Sequence, residues 1–397
     1  DLSNTTIDPI HLGQILKKLK NHKIENVILE ASSHGLDQNR LDGLIFNTGI
    51  FSNLSQDHLD YHKNLKDYLD AKLYLFRNLI KKRGNIITDS KIPEFIEIKK
   101  IAKKKFLKLN TIEGKNEKLK ILTHSFHDES QILKIKYKGV VKHIKINLIG
   151  KIQIKNILMA LIAAEKSGLN LNKILNVLPS LKPIEGRFEK IGMIKNKSKV
   201  VLDYAHTPDA LKTCLLNLKE QFPDKKIISL FGCGGNRDQN KRSKMGKIAD
   251  IFSDEIYLTD DNPRFESSHK IRKDIRTGIK KTKVIEISDR GKAIAQAIKN
   301  LRTGEILLVA GKGHEKVQDI GKRKIFFSDK KIILESIKTK NHSLSNNLKL
   351  NIIREVSGNK KFPFSLKLKQ ARINSKEVKK DDIFLQLKEI KMMEINL

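Results

Sequence analysis

The sequence predicts an α/β protein whose second half contains a doubly wound parallel sheet. Short apolar runs alternate there with segments of helical periodicity, from about residue 200 to residue 340. The loops that follow these runs are rich in glycine, aspartate and asparagine. With 397 residues, the chain is long enough for two or three domains, each with a core of its own.

The first half of the chain is predicted to alternate helices with short strands. Apolar residues recur every three or four positions over residues 8–20, which is typical of a helix with one buried face. The runs ILKIKY and VVKHIKINL flank a Lys-Gly pair in residues 131–149 and predict a β-hairpin. The other predicted elements are a buried strand at 27–29, strands at 50–51 and 86–87, and helices over 65–79 and 156–166.

A segment with two prolines and a glycine separates the two halves. This segment, LPSLKPIEGRFEKIG at 178–192, is the predicted connection. Beyond it, strands are predicted at 200–202, 227–231, 256–258, 284–285 and 306–310. We therefore expect one domain over 1–183 and a second over 184–340. A polar linker over 341–369 and a terminal segment over 370–397, with a strand-like run at 382–385, would follow.

The chain carries a large excess of positive charge. It has 79 Lys and Arg against 45 Asp and Glu, a net charge of +34, and such an excess permits nucleic-acid binding. The excess is mostly lysine spread along the whole chain, however, and tryptophan is absent. Proteins that bind single strands use aromatic residues on which bases stack. We therefore interpret the lysines mainly as solvated surface residues and expect no nucleic-acid partner.

The composition also bears on the cellular compartment. No apolar run approaches the ~20 residues that a membrane-spanning helix needs, so no membrane partner is expected. The two cysteines, Cys214 and Cys233, cannot form a disulfide framework. Such sparse cysteine usage is typical of a reducing compartment. We expect a cytoplasmic protein.

Polar and glycine-rich loops follow the predicted strands of the second domain. In open α/β sheets, ligands bind at the carboxyl ends of the strands. The loops are DYAH at 203–206, GCGGNRD at 232–238, DDNPR at 260–264 and GKGHE at 311–315. Any one of them is compatible with an ordinary turn. Together they predict a binding cleft at one edge of the sheet.

The first domain offers a different group of polar residues. Glu30 ends a predicted strand, and His58 lies in the loop NLSQDHLDYH after the next strand. A glutamate and a histidine at neighbouring strand ends can hold a divalent cation, and the oxygen ligand favours Mg²⁺. The alternative is that both are ordinary polar residues near the surface.

Lys72 is the most informative single residue of the first domain. Leu65, Leu69, Phe76 and Leu79 share a helix face with it at spacings of three and four. The pattern places an ammonium group on the inward face, where an unpaired charge is costly. Lys72 is therefore predicted to be paired, to reach the surface along its aliphatic stem, or to be chemically modified.

Taken together, these segments resemble the Mur ligase family. NTTIDP, EASSHGLDQNRL, NLSQDHLDYH and the pair Ala71-Lys72 are similar to its central domain. EGRFE, DYAHTPDAL, FGCGGNRDQNKRSKMG, DDNPR and AGKGHE are similar to its C-terminal domain. The similarity covers about residues 1–340, in the family's order and spacing. It implies an incomplete P-loop-type mononucleotide-binding central domain followed by a Rossmann-like, doubly wound C-terminal domain.

The resemblance implies an ATP- and Mg²⁺-dependent ligase of peptidoglycan precursor synthesis. Within the family, the segments are most similar to enzymes that join meso-diaminopimelate to a UDP-N-acetylmuramoyl dipeptide through an acyl phosphate. The implied site residues are Asn4, Thr5, Thr6, Ser32, Gln38 and Arg40 for the UDP-muramoyl substrate; Glu30, His58 and a carbamylated Lys72 for Mg²⁺ and catalysis; Asn156, Arg187 and Asp203 for the nucleotide; and Arg237, Asp261, Asn262, Pro263, Arg264, Gly311 and Glu315 for diaminopimelate. A carbamate would turn the Lys72 cation into a carboxylate able to face a metal.

Arg264 bears on which amino acid is added. Diaminopimelate has a second, distal carboxylate, which a guanidinium can bind through two hydrogen bonds. The same guanidinium would be a poor partner for a lysine ammonium, and the lysine-adding relatives lack an arginine at this position. A lysine-adding ligase is therefore the alternative, and a folylpolyglutamate-type ligase is a more distant one that SSHGLDQNR and DNPR argue against.

The sequence departs from the family pattern in its nucleotide-binding part. No Gly-Lys pair is followed by the Thr or Ser of a phosphate-binding loop. The chain is therefore expected to begin inside the central domain, without the N-terminal UDP-binding domain, and not to hydrolyse ATP as it stands. Gly150-Lys151-Ile152-Gln153 stands where relatives usually have Phe and Asn, which weakens the assignment of Asn156.

The tail carries a shorter resemblance. ARINSKEVKKDDIFLQL at 371–387 is similar to the start of another Mur ligase, the D-alanyl-D-alanine-adding one, as if a second ligase were fused downstream. The alternative is a disordered basic tail. For the whole chain, two alternatives from other classes are a non-catalytic fragment that only binds substrate and a basic nucleic-acid-binding protein. The latter would lose affinity steeply as salt rises.

Overall fold

The first half of the chain combines a parallel and an antiparallel sheet. The computed structural model describes residues 5–59, 61–112, 119–346, 371–372 and 383–384. The strands of the first half are β1 (Phe46–Phe51), β2 (Ile80–Asp89), β3 (Lys108–Ile112), β4 (Leu119–His127), β5 (Ser130–Tyr137) and β6 (Val140–Ile146). Its α-helices are α1 (Pro9–Asn21), α2 (Ser33–Asp37), α3 (Leu65–Tyr74), α4 (Phe95–Lys104), α5 (Lys151–Lys166) and α6 (Leu171–Val177).

Each of these two sheets has an apolar core. In the parallel sheet, β2 lies between β1 and β3, and its Ile86 packs with Phe76 and with Ile98 of α4. In the antiparallel sheet, β5 lies between β4 and β6, and Leu133 of β5 packs with Leu158 of α5. The predicted hairpin over 131–149 is confirmed as β5 and β6, which pair through the turn at 138–139.

The predicted buried strand at 27–29 is wrong. Residues 24–32 have no regular secondary structure, and the side chain of Ile28 is 97% exposed. A β-strand requires a neighbour that accepts and donates its backbone hydrogen bonds. Among the described residues, β1 pairs only with β2, so the apolar run finds no neighbouring strand.

The helix that carries Lys72 extends as predicted, but its inward face differs. Helix α3 ends at Tyr74 and continues as a π-helical turn, Leu75–Leu79. Phe76 and Leu79 are buried as expected, whereas Leu65 is 44% exposed. The apolar stripe therefore begins one turn later than its spacing suggests.

The second half is the predicted doubly wound domain. Its strands are β7 (Glu189–Lys190), β8 (Lys199–Asp203), β9 (Ile227–Phe231), β10 (Glu255–Leu258), β11 (Val284–Glu286) and β12 (Ile306–Ala310), in the order β11-β10-β9-β12-β8-β7. All pairs are parallel except that of β7 with β8. Its helices are α7 (Pro208–Gln221), α8 (Lys241–Phe252), α9 (Ser268–Arg276), α10 (Arg290–Asn300) and α11 (Asp329–Asn346). A hairpin of β13 (Val317–Asp319) and β14 (Lys324–Phe326) follows β12.

Both faces of this sheet are covered by helices. Val201 and Leu308 point to the face that packs against α7, α8 and α9. Val200 and Leu307 point to the opposite face, which packs against α10 and α11. The continuous apolar runs of the sequence arise because parallel strands with helices on both sides bury every side chain.

The two halves meet along α7. Gln221 accepts a hydrogen bond from the Gly150 backbone (2.7 Å), and Asn217 accepts one from the Ile152 backbone (3.0 Å). Lys199 of β8 forms an ion pair with Glu129 in the turn between β4 and β5 (3.2 Å). These contacts set the orientation of the first half of the chain relative to the C-terminal sheet.

The carboxyl-terminal region is described only in part. Residues 341–346, predicted as the start of the linker, continue helix α11, whose last residue is Asn346. The strand-like run at 382–385 is represented by β16 (Ile383–Phe384), which pairs in parallel with β15 (Ala371–Arg372). The rest of the predicted linker and tail lies outside the described residues, and the domain limits and the fused second ligase remain predictions.

We expect Leu308→Ala to lower the free energy of unfolding by about 2–5 kcal/mol, because a fully buried leucine at the centre of the sheet leaves a cavity when truncated. The matched control is Leu216→Ala on α7, whose side chain is 41% exposed, and we expect it to cost less than about 1 kcal/mol. Urea unfolding followed by circular dichroism measures both. Equal losses would contradict the packing described for β12.

Candidate active site

A cavity of about 700 Å³ lies between the two halves of the chain. All of the polar loops that follow β8, β9, β10 and β12 contribute to its wall. The opposite wall comes from the segment after α1, the loop after β1, and α3. The cleft predicted at the carboxyl edge of the sheet is thus present, and the first half of the chain forms its opposite wall.

The strand order explains why these loops converge. After β9 the chain moves outward to β10 and β11 and then returns to place β12 between β9 and β8. The loops after β9 and β12 leave the sheet side by side at this reversal. Such a switch point leaves a crevice at the carboxyl ends of the strands, where α/β proteins bind ligands.

Most of the residues predicted for the site line this one cavity. They are Thr5, Glu30, Ser32, Arg40, His58, Lys72, Arg187, Arg237, Asp261, Asn262, Arg264, Gly311 and Glu315. Thr6, Gln38, Asn156, Asp203 and Pro263 are not among its lining residues. Asn4 lies outside the described residues.

Two of the residues that do not line the cavity support residues that do. The hydroxyl of buried Thr6 donates to the Glu30 carbonyl (2.9 Å) and accepts from the Ser32 backbone (2.8 Å). The Thr6 carbonyl accepts from Arg40 Nη1 (2.7 Å). The Gln38 Oε1 accepts from Arg40 Nη2 (2.5 Å), so both hold the Arg40 guanidinium in place.

Asp203 and Asn156 play no visible part in the cavity wall. The Asp203 carboxylate accepts from the Phe188 and Ala205 backbone N–H groups, both at 2.7 Å, and so ties the inter-domain connection to the end of β8. Burial raises the pKa of Asp203, partly offset by these hydrogen bonds. Asn156 is exposed on α5.

Lys72 extends from α3 into the cavity. Its ammonium lies 5.1 Å from the centre of the Tyr68 ring and 5.8 Å from that of Phe51, within the range of cation–π attraction. Burial lowers the pKa of Lys72, and the negative charges of Asp57 and Glu30 offset part of that effect. A lowered pKa increases the fraction of neutral amine, which is the form that reacts with an electrophile.

The residues predicted to hold Mg²⁺ fit that ion only in part. In the portion of the chain that the structure describes, no three His, Cys, Asp or Glu side chains converge to make a metal site. Glu30 and His58 line the cavity together with Lys72, whose ammonium is not a metal ligand. A carboxylate formed on Lys72 would complete a set of three, so the fit depends on that modification.

Asp57 and His206 connect the two sides of the cavity. His206 Nε2 lies 3.3 Å from the Asp57 carboxylate, and its Nδ1 lies 2.8 Å from the Tyr204 carbonyl. Both ring nitrogens of His206 face oxygen atoms, so this side chain links the loop after β8 to Asp57 in the loop after β1. Burial alone would raise the pKa of Asp57, but His206 and His58 hold it well below its usual range.

Arg264 is held by the loop that follows β9. Its Nη1 donates to the Gly235 carbonyl (2.8 Å), and its Nε lies 3.7 Å from a carboxylate oxygen of Asp319. Arg264 itself adopts a left-handed backbone conformation, with φ 52°. These contacts hold the guanidinium through Nη1 and Nε at the cavity wall.

Several cavity residues were not predicted from the sequence. They are Asp57, Tyr68, Tyr204, His206, Asp238 and Lys241. Tyr204 and His206 lie in the DYAH loop after β8, and Asp57 precedes His58, so the segments were recognised although these side chains were not. Tyr204 also stacks under Arg187, whose guanidinium carbon lies 4.7 Å from the ring centre.

Comparison with known proteins agrees with the arrangement of the two halves. The family model of the Mur ligase middle domain matches residues 1–164, and that of the Mur ligase glutamate ligase domain matches residues 186–313. A UDP-N-acetylmuramoyl-L-alanyl-D-glutamate–2,6-diaminopimelate ligase of Rickettsia bellii is 40% identical, over 83% of this chain and 68% of its own length. The enzyme of the same name from Agrobacterium fabrum is 38% identical, over 82% of this chain and 66% of its own length.

The chain belongs to the Mur ligase family. A solved structure of a UDP-N-acetylmuramoyl-L-alanyl-D-glutamate–2,6-diaminopimelate ligase matches with 33% identity and a TM-score of 0.54, over 79% of this chain and 64% of the other. MurF ligase from Thermotoga maritima in complex with ADP shares the fold, with a TM-score of 0.57 at 17% identity, over 75% of this chain and 63% of the other.

The chain spans about two thirds of the length of these relatives. Among its described helices, none combines the length and the apolar character that crossing a membrane requires.

We expect Gly235→Ala to destabilise the site and lower the free energy of unfolding by about 1–3 kcal/mol, because its new methyl group would lie 1.9 Å from the Pro263 carbonyl oxygen. The matched control is Gly13→Ala in α1, which meets nothing within 4 Å and should stabilise the helix by up to about 1 kcal/mol. Urea unfolding measures both changes. A neutral Gly235→Ala would show that the loops after β9 and β10 are not in contact.

Proposed function

We propose that this Mur ligase, within a full-length gene product that supplies the phosphate-binding loop, joins meso-2,6-diaminopimelate to UDP-N-acetylmuramoyl-L-alanyl-D-glutamate at the expense of ATP, in the synthesis of peptidoglycan precursors. The observation that carries the proposal is the shared cavity. It gathers Glu30, His58 and Lys72 from one half of the chain and Asp261, Arg264 and Glu315 from the other. A site that joins two substrates needs groups that activate the carboxylate of one substrate and groups that bind the other, and these have to face each other across the site.

The proposed reaction proceeds in two balanced steps. A carboxylate oxygen of the UDP-muramoyl dipeptide attacks the γ-phosphorus of ATP, and the bond to the bridging oxygen breaks to release ADP. The amine nitrogen of diaminopimelate then attacks the acyl carbon, phosphate leaves, and the nitrogen loses a proton. Cationic side chains on the cavity wall, Arg40, Arg187 and Lys241 among them, stabilise the negative charge that builds up on the phosphoryl oxygens.

Mg²⁺ would be held by Glu30, His58 and a carbamate on Lys72. When bound, it would neutralise phosphate charge. The position of Lys72 supports the modification, because its amine is partly desolvated and its pKa lowered by burial. Carbamylation forms an N–C bond between this neutral amine and CO₂ and releases one proton to solvent.

Arg264 is the proposed determinant for diaminopimelate over lysine. Its guanidinium is oriented by Gly235 and Asp319 and reaches the cavity. A distal carboxylate on the amino acid would be bound there, whereas the distal ammonium of lysine would be repelled.

We propose the cytoplasm as its location. Cys214 and Cys233 are both buried as free thiols, which fits a reducing compartment.

We expect Arg264→Ala, in the full-length gene product, to lower kcat/KM for diaminopimelate by about 10- to 150-fold, the cost of losing a charged hydrogen bond. The loss should appear in KM for diaminopimelate, while KM for ATP is unchanged. Arg323→Ala is the control, since Arg323 is exposed between β13 and β14. Amide formation is measured with diaminopimelate and lysine in parallel. A wild-type enzyme that prefers lysine would contradict the proposed specificity.

We expect ¹³C-bicarbonate to give a carbamate resonance in the wild-type protein that is absent from Lys72→Ala. The exposed lysine on the same helix supplies the control, because Lys66→Ala should retain the resonance. We also expect Lys72→Ala to lose ligase activity at least about 100-fold, a loss within the range that removal of one charge-stabilising group produces. Full activity of Lys72→Ala would show that a carbamate on Lys72 has no role in catalysis.

A further inference from the structure

A second lysine next to the cavity is completely buried. Lys312 follows β12 in the segment AGKGHE, and its side chain has no exposed surface. Its ammonium donates to Asn262 Oδ1 (2.9 Å), Glu315 Oε2 (2.8 Å) and the Val317 carbonyl (2.7 Å). The three acceptors equal the three protons that a lysine ammonium can donate.

The backbone around Lys312 is built to place this lysine inward. Gly311 and Gly313 on either side have φ of 114° and 52°. A methyl group at Gly311 would lie 2.7 Å from an oxygen of Asp261, and one at Gly313 would lie 2.8 Å from Tyr204. Only glycine fits at either place, so the turn runs tightly against the neighbouring loops with Lys312 beneath it.

Glu315 is the partner through which Lys312 reaches the cavity. Its Oε2 also accepts from Asn262 Nδ2 (3.0 Å), and its Oε1 accepts from the Tyr204 hydroxyl (3.3 Å). Donors on the loops after β8, β10 and β12 therefore hold one carboxylate. The Glu315 side chain remains 31% exposed at the cavity wall, and a carboxylate has about four acceptor positions. One position is left for a donor from a ligand.

We propose that Lys312 is a positioning residue for the amino-acid substrate: it holds the Glu315 carboxylate in the orientation in which this group binds an ammonium group of diaminopimelate. The inference rests on the proposed function and deepens it, because it makes the contact between Glu315 and the substrate depend on a residue that the substrate does not touch. The cavity wall carries several cations, Arg237 and Arg264 among them. An ammonium group of the substrate therefore needs a carboxylate that is held in place among these cations.

Lys340 supplies a matched control within the same domain. It is also a buried lysine, and its ammonium donates to the carbonyls of Lys299 (2.9 Å) and Leu301 (2.6 Å) on α10 and its end. Lys340 is not among the lining residues of the cavity. Replacing either lysine by methionine removes a buried ammonium, but only Lys312→Met removes one that faces Glu315.

The test compares five variants of the full-length gene product with the wild type. They are Lys312→Met, Lys312→Gln, Glu315→Gln, the double variant Lys312→Met/Glu315→Gln, and Lys340→Met. Calorimetry measures the affinity for meso-diaminopimelate, and steady-state kinetics separate effects on KM from effects on kcat. Lys312→Gln retains a hydrogen-bond donor without the charge, and it serves if Lys312→Met does not fold.

We expect Lys312→Met and Lys312→Gln to weaken diaminopimelate binding at least about tenfold, with KM for ATP unchanged within about twofold. Lys340→Met should bind diaminopimelate as the wild type does. The double variant should bind diaminopimelate no more weakly than whichever of its two single variants has the lower affinity, since Lys312 acts through Glu315.

Each contrary result has a distinct meaning. If the wild type binds diaminopimelate and a folded Lys312 variant binds it equally well, the role of Lys312 is refuted. Fully additive losses in the double variant also refute it, because the two residues would then act separately. If the wild type does not bind diaminopimelate, the proposed function fails and the inference fails with it. Wild-type binding together with an unaffected Lys312 variant refutes the inference alone.

Discussion

Parallel pairing of the strands in the C-terminal sheet is the constraint on which the site depends. Because β8, β9, β10 and β12 run in the same direction, their carboxyl ends lie at one edge. Loops that are distant in sequence are thereby brought to one wall of one cavity. Helices on both faces of the sheet bury its apolar side chains and leave this edge as the surface on which polar groups can be displayed.

Three cations that are shielded from solvent are accommodated in different ways. Arg290 is paired with Asp329 through two hydrogen bonds of 2.8 and 2.7 Å, while its buried Nη1 lacks a hydrogen-bond partner among the described residues. Lys312 is equally buried, but its counter-charge, Glu315, lies at the cavity wall. Lys72 is desolvated beside aromatic rings, and burial lowers its pKa. A buried charge is costly unless compensated, so the degree of compensation separates a structural cation from one available for chemistry.

The cavity belongs to neither half of the chain alone. The contact between Asp57 and His206 joins the loop after β1 to the loop after β8 across the cavity. Hydrogen bonds from the Gly150 and Ile152 backbone to α7 connect the two halves at a second place. Groups suited to activating a carboxylate and groups suited to binding an amino acid therefore face each other only because these contacts fix the two halves together.

The amino-acid sequence by itself determined the α/β class, the doubly wound second half and the segments that form the site. It did so because apolar periodicity and glycine-rich turns are local signals. The same local reasoning failed at residues 27–29, where a strand needs a neighbour that no apolar run can specify, and at Leu65, where helix contacts decide burial. Only the tertiary structure decided which polar side chains act together. Lys312 and Glu315 are three residues apart and pair within one turn, but only the meeting of the loops after β8, β10 and β12 brings Tyr204 and Asn262 to the same carboxylate. The contact of Asp57 with His206 depends on the junction of the two halves, which the spacing of residues along the chain does not encode.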